Sequence, residues 1–294
     1  MPNILALSRD RLTVIALGLL GALALAFLAI WAPKATEART TVPPAATTPP
    51  PATGFTALAP RLTDAIRSGR AVEIGVFGDS FGDGIWWALT QQLRGDARFR
   101  LHQLSARSTG FAGWADMAGD FRDKLDRQPL DVAIISFGAN DTHGVTVDGR
   151  HYEFLSGAWR QIVGARLEAA VSLLRARGVQ VYWVGLPRMR RPEFEAKVRG
   201  LNAFYAARMR ALAVPFIDTV RASTDSAGRY TDRLVNPDTG RPMLARAGDG
   251  IHMSMNGYRL LTVGIARHLV RRVGEGRAAS TRQAAAPALQ PGAG

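Results

Sequence analysis

A three-layer α/β fold around a five-stranded parallel sheet is what this 294-residue sequence predicts. Three observations carry that expectation. Apolar runs of strand length alternate with longer segments of helical spacing. The strand candidates read as nearly unbroken hydrophobics, as strands covered on both faces do. Hydrophobic residues make up 47% of the chain, enough for a core of that size.

The elements follow in order. Residues 72–77 form the first strand, which breaks at Gly78-Asp79-Ser80. A helix carrying Ile85 to Leu93 comes next, then a second strand at 98–104. Residues 131–137 (Asp-Val-Ala-Ile-Ile-Ser-Phe) make the most continuous strand. Ile162, Leu167, Ala170, Val171 and Leu174 recur at helical spacing over 158–177, and Gly178 supplies a stop. A fourth strand spans 179–186. Pro192 opens a helix to about Leu212, where its missing N–H costs nothing. Residues 214–218 are a short fifth strand. Ser254 caps a last helix that reaches about Val270. The segment 221–248 is rich in Asp, Gly, Pro and Arg, with a turn at Pro237-Asp238-Thr239-Gly240. It reads as a long loop with room for a small hairpin, and loops of that length are often functional.

The termini have a different character. Leu12 to Ala32 holds no charged residue and a single hydroxyl, Thr13. As a helix it spans roughly 30 Å, the thickness of a bilayer core. The apolar part of a cleaved signal peptide is shorter, about 7–15 residues. The expectation is therefore an uncleaved signal anchor at 1–32, with Arg9 and Arg11 on the cytoplasmic side. A Pro/Ala/Thr-rich linker follows at 33–58, then the folded domain at 59–271 and a disordered tail at 272–294. This places a single-pass protein in the inner membrane, with its domain on the periplasmic side.

Charge and composition narrow the chemistry. There is no cysteine, so thiolate nucleophiles, disulfides and thiolate-zinc sites are excluded. No two histidines sit at i, i+4, so no metal is expected. The net charge is +13, and of 37 basic residues only Lys34, Lys124 and Lys197 are lysines. The arginines are scattered and form no basic arm, which speaks against nucleic acid and suits acidic envelope polymers or lipid headgroups.

In open parallel sheets, ligands bind beyond the carboxyl ends of the strands. Three turns converge there: Gly78-Asp79-Ser80, Ser108-Thr109-Gly110 and Gly138-Ala139-Asn140-Asp141. Acyl transfer needs a nucleophile, a base within reach of it and donors aimed at the oxyanion. Ser80 is the candidate nucleophile and His252 the base. Asp249, three residues before His252, is its orienter. The N–H groups of Ser80 and Gly110 and the amide of Asn140 are the candidate donors, with Gly113 a competitor of Gly110. Asp79 and Asp141 are expected to cap turns or helices.

These four blocks, in this order over residues 71–271, resemble the SGNH (GDSL-type) hydrolases, in an envelope-anchored branch. The resemblance implies a flavodoxin-like sheet and hydrolysis of carboxylic esters, often acetyl groups on sugars, with no cofactor. It matches Ser80 to the nucleophile, Gly110 and Asn140 to the oxyanion donors, and Asp249 and His252 to the rest of the triad. Gly78-Asp79-Ser80-Phe81-Gly82 also fits the elbow of α/β-hydrolases. Only one strand precedes Ser80, however, and the Asp–His pair lies within four residues, so that fold is rejected.

Trp114, His143 and Arg188 are the expected substrate contacts. They offer an indole for a sugar ring, an imidazole just past the Asn140 turn and a cation after the fourth strand. Core packing competes for Trp86 or Trp87, and a solvated loop for Arg188, Arg190 and Arg191. The expected partner is an acylated glycan or small ester. Two other functions remain as alternatives: an O-acyltransferase using the same residues, with a sugar hydroxyl in place of water, and a non-catalytic envelope module that binds polysaccharide through its aromatic and arginine loops.

Overall fold

The structure, a computed structural model, describes residues 58–285. The anchor expected at 12–32, and all but the last residue of the linker at 33–58, lie outside them. Among the described residues no helix is long and apolar enough to cross a membrane.

The domain opens with α1 (Pro60–Ser68) and β1 (Val72–Gly78), followed by α2 (Ser80–Gln92) and β2 (Phe99–Gln103). Next come α3 (Met117–Arg127), β3 (Val132–Ser136) and a 3-10 turn at Ala139–Asp141. A hairpin of β4 (Val145–Val147) and β5 (Arg150–Tyr152) leads to α4 (Gly157–Ala176) and β6 (Gln180–Val184). Then follow α5 (Pro192–Ala211), β7 (Phe216–Ile217), a second hairpin of β8 (Arg233–Val235) and β9 (Pro242–Leu244), and α6 (Met255–Ala285). The main sheet has five parallel strands in the order β2-β1-β3-β6-β7. That is the flavodoxin-like order, whose switch point lies between β1 and β3.

Every residue of β3 is buried, because helices cover the sheet on both sides. Leu62 and Ile66 of α1, Ile85 and Leu89 of α2, and Leu261, Ile265 and Leu269 of α6 pack on one face. Phe121 and Leu125 of α3, Trp159, Val163 and Leu167 of α4, and Leu201 and Phe204 of α5 pack on the other. The predicted strands and the three helices at α2, α4 and α5 have counterparts here. Two helices, α1 and α3, have none in the sequence expectation.

The tail expected at 272–294 is corrected over residues 272–285, and its remainder lies outside the described residues. The last helix does not stop near Val270 but continues to Ala285. Val273 is buried, Gly276 lies against Ile66 of α1, and Arg277 donates to the Arg70 carbonyl at 2.7 Å. Alanines and arginines in this stretch are strong helix formers, and α1 gives the extension a surface to pack on.

Candidate active site

Three strand ends and one loop build the site. β1 ends at Gly78, and Asp79 caps α2 by accepting the Phe81 N–H at 2.8 Å. Ser80 is thus the first residue of a helix, where no intrahelical carbonyl can take its N–H. The Ser80 hydroxyl lies 2.7 Å from His252 Nε2. His252 Nδ1 lies 2.7 Å from Asp249 Oδ2. A proton on Nδ1 therefore faces the carboxylate, which leaves Nε2 to accept from the serine. Phe81 stacks on the imidazole, with ring centroids 5.2 Å apart and planes tilted by 22°.

Asp249 organises its own loop. Its Oδ1 accepts the N–H groups of Ile251 (2.8 Å) and His252 (3.0 Å). Partial burial would raise this carboxyl, but hydrogen bonds from the imidazole and the two backbone amides hold it down, to about 2. It is a fixed negative charge behind the imidazole.

The two glycines competing for the second block are separated by space. A Cβ on Gly110 would sit 2.3 Å from Asp141 Oδ1, whereas Gly113 is exposed with nothing within 4 Å. Asp141 is buried and accepts from the Ala112 N–H (2.7 Å) and the Tyr205 hydroxyl (2.6 Å). It therefore joins the β3 end to the Gly110 turn rather than capping a helix. Arg166 of α4 donates to the carbonyls of Phe111 (2.8 Å) and Ala112 (3.0 Å), fixing the same turn from the other side. Nothing local in the sequence marks Arg166 or Tyr205 for these roles.

Asn140 departs from its expected part. Its side-chain amide donates to Asp79 Oδ2 and to the Thr109 carbonyl, both at 3.2 Å. Both N–H groups are therefore engaged inside the site, because a buried carboxylate beside them is a strong acceptor. Burial first, and the nearby charge of Asp141, push the Asp79 carboxyl up to about 7, against the hydrogen bonds from Phe81 and Gly138. Complete burial moves Asp141 in the same direction.

The expected substrate contacts sit in three different surroundings. Trp114 is half-buried against the second core cluster. His143 is exposed, with Nδ1 2.7 Å from the Gly144 carbonyl. Arg188 does not present a free cation: its guanidinium pairs with Glu195 of α5 at 2.6 Å. Trp86 and Trp87 are both half-buried against the first cluster. Among the described residues, no group of three or more His, Asp or Glu side chains is placed to hold a metal ion. The four blocks of the SGNH pattern nevertheless meet at one edge of the sheet.

Comparison with known proteins gives a family and a set of similar solved structures. Residues 73–268 match the family described as "Protein of unknown function (DUF459)". No curated protein matches the sequence. Among solved structures, the native aryl esterase of M. smegmatis is 21% identical with a TM-score of 0.45, over 69% of this chain and 100% of that one. A GDSL-like lipase from Bacteroides thetaiotaomicron is 14% identical with a TM-score of 0.47, over 73% and 98%. An acetyl xylan esterase is 13% identical with a TM-score of 0.46, over 69% and 100%.

Proposed function

The chain belongs to the DUF459 family, and from the residues that this match encloses we propose that it is a serine ester hydrolase. The observation that carries this reading is the relay of two 2.7 Å contacts from Ser80 through His252 to Asp249. A serine hydroxyl is a weak nucleophile until a base accepts its proton, and this relay supplies the base and its charge partner.

The steps follow from the relay. Ser80 Oγ adds to the ester carbonyl while its proton passes to His252 Nε2. The oxyanion forms at the start of α2, where the Ser80 and Gly110 N–H groups are the donors. An oxyanion also competes with Asp79 for the Asn140 amide. The C–O bond then breaks, and the alcohol leaves with the proton held by His252. Water adds to the acyl-serine, giving its proton to His252, and the acid leaves as the serine recovers that proton. Asp249 stabilises the imidazolium in both halves.

The substrate we propose is an O-acetylated envelope polysaccharide, met by a domain held at the membrane through residues 12–32. A tether that cannot diffuse suits an immobile polymer. Turnover of p-nitrophenyl acetate tests the chemistry. Ser80→Ala is expected to lower kcat by on the order of 10³-fold or more. Wild-type turnover in that variant sinks the proposal.

A further inference from the structure

The sequence leaves the segment 221–248 and Arg190, after β6, without a task, and the structure ties the two together around Asp249. The Arg190 N–H donates to the Gly250 carbonyl at 3.0 Å, and its Nη1 donates to the Gly248 carbonyl at 3.1 Å. Both neighbours of Asp249 in the chain therefore hang on one residue. Gly250 sits at φ +74°, and a Cβ there would lie 2.6 Å from Arg190 Cβ. The backbone approach needs a glycine.

Arg190 is itself held from the insertion. Its Nη2 donates to Asp232 Oδ1 at 3.1 Å, and the Tyr230 hydroxyl donates to the same oxygen at 2.6 Å. The guanidinium carbons of Arg190 and Arg246 lie 5.5 and 4.8 Å from the Tyr230 ring centroid. One aromatic ring thus contacts two cations, an attractive arrangement where the charges are partly desolvated. Arg246 is buried, and no ion pair is found for it among the described residues. It donates instead to the Arg188 and Ser223 carbonyls at 2.5 and 3.1 Å and reaches the Ile251 carbonyl at 3.5 Å. Its backbone pairs with Met253, and the Ala247 N–H donates to the His252 carbonyl at 3.0 Å. Asp249 is exposed, so its position depends on its hydrogen bonds to Ile251 and His252 and on this backbone rather than on packing of its own side chain.

We propose that the 221–248 segment, together with Arg190 from the loop after β6, is a built-in brace for the catalytic pair, in which Arg190, Tyr230 and Arg246 are positioning residues for Asp249 and His252. The brace rests on the ester-hydrolase reading for its catalytic consequence, but its structural consequence can be read without it. Loss of the ring leaves Arg190 and Arg246 without their common contact. The Asp249 loop then samples more geometries, and fewer of them align the imidazole with Ser80.

The test uses the full-length protein with p-nitrophenyl acetate and, in parallel, amide hydrogen exchange at residues 250–252. Tyr230→Ala is expected to lower kcat about 30-fold, with KM within about twofold, since only alignment changes. Exchange at 250–252 should rise about tenfold or more as the loop opens locally. Tyr230→Phe keeps the ring and should recover kcat to within about threefold. A folded Tyr230→Ala protein with wild-type kcat and unchanged exchange overturns the brace. So does a rise in KM alone, which makes the segment a substrate contact. Should Tyr230→Ala fail to fold, Arg190→Gln, at an exposed residue, is judged by the same thresholds. Exchange still decides the brace if Ser80→Ala proves fully active, so the two failures are distinguishable.

Discussion

Asp131 and Asp79 stand at opposite ends of the same sheet, and both are 0% exposed. Asp131, just before β3, meets the Arg70 guanidinium through two contacts of 2.6 and 2.8 Å and accepts the Glu73 N–H at 2.9 Å. Asp79, just after β1, pairs with no lysine or arginine among the described residues, and its acceptor capacity goes to the N–H groups of Phe81, Gly138 and Asn140. A buried carboxylate is tolerated when it is paired, and otherwise its proton affinity rises. At the amino edge of the sheet the chain pairs its charge and fastens α1, β1 and β3. At the carboxyl edge it buries a carboxyl group without a lysine or arginine partner and uses its oxygens to hold turns in place. The contrast separates an edge built for stability from one built for geometry.

Substitutions at the two edges should therefore fail in different ways. The larger effect is expected at the carboxyl edge. Gly110→Ala drives a methyl group against an Asp141 carboxylate that two hydrogen bonds pin in place. Displacing the oxyanion donor proposed at Gly110 should lower kcat on p-nitrophenyl acetate by about 10²–10³-fold. Gly113→Ala, with open space around it, should leave kcat unchanged. Equal effects at the two glycines would mean that the Gly110 turn does not face the reaction. At the amino edge, Asp131→Ala leaves the Glu73 N–H without its acceptor and Arg70 with the exposed Asp64 as its remaining carboxylate partner. It should cost about 2–3 kcal/mol in urea unfolding. Its kcat per folded molecule should stay within about twofold of wild type. A large loss of activity in a stable Asp131→Ala protein would erase the distinction between the edges.

What the sequence discloses and what it hides divide along a related line. β3 and β6 are legible because strands covered on both faces become unbroken apolar runs. Ser80, His252 and Asp249 are legible because a strand break and a three-residue spacing are local signals. The hidden parts depend on distant partners. Met117, Phe121 and Leu125 have the spacing of a helix, but glycines at 113 and 119 mask α3. The end of α6 resembles low-complexity sequence until α1 is there to receive Val273 and Gly276. Arg188 looks like a free cation until Glu195 folds back over it. The engagement of Asn140 is a matter of competing acceptors, and no linear pattern records it.

The contrast between the two aspartates has its smallest and most distinctive consequence in pH dependence. Asp79 keeps its proton in the folded state up to about 7, because burial disfavours the ion and Asp141 adds like charge. The unfolded chain releases that proton near the ordinary carboxylate value of 3.8. Between these values the unfolded state binds fewer protons, so stability falls as pH rises and levels off above about 7. Asp141 is shifted in the same direction. Asp249 acts in a separate window: held at about 2, it contributes stability above about pH 4 that is lost as pH falls further. Urea unfolding should therefore give a protein more stable at pH 5 than at pH 7 by on the order of 1–2 kcal/mol. Asp79→Asn cannot ionise, so it should remove more than half of that difference. A wild-type profile that is flat or rising over this interval would mean that Asp79 is compensated after all, and the two edges of the sheet would then treat buried charge alike.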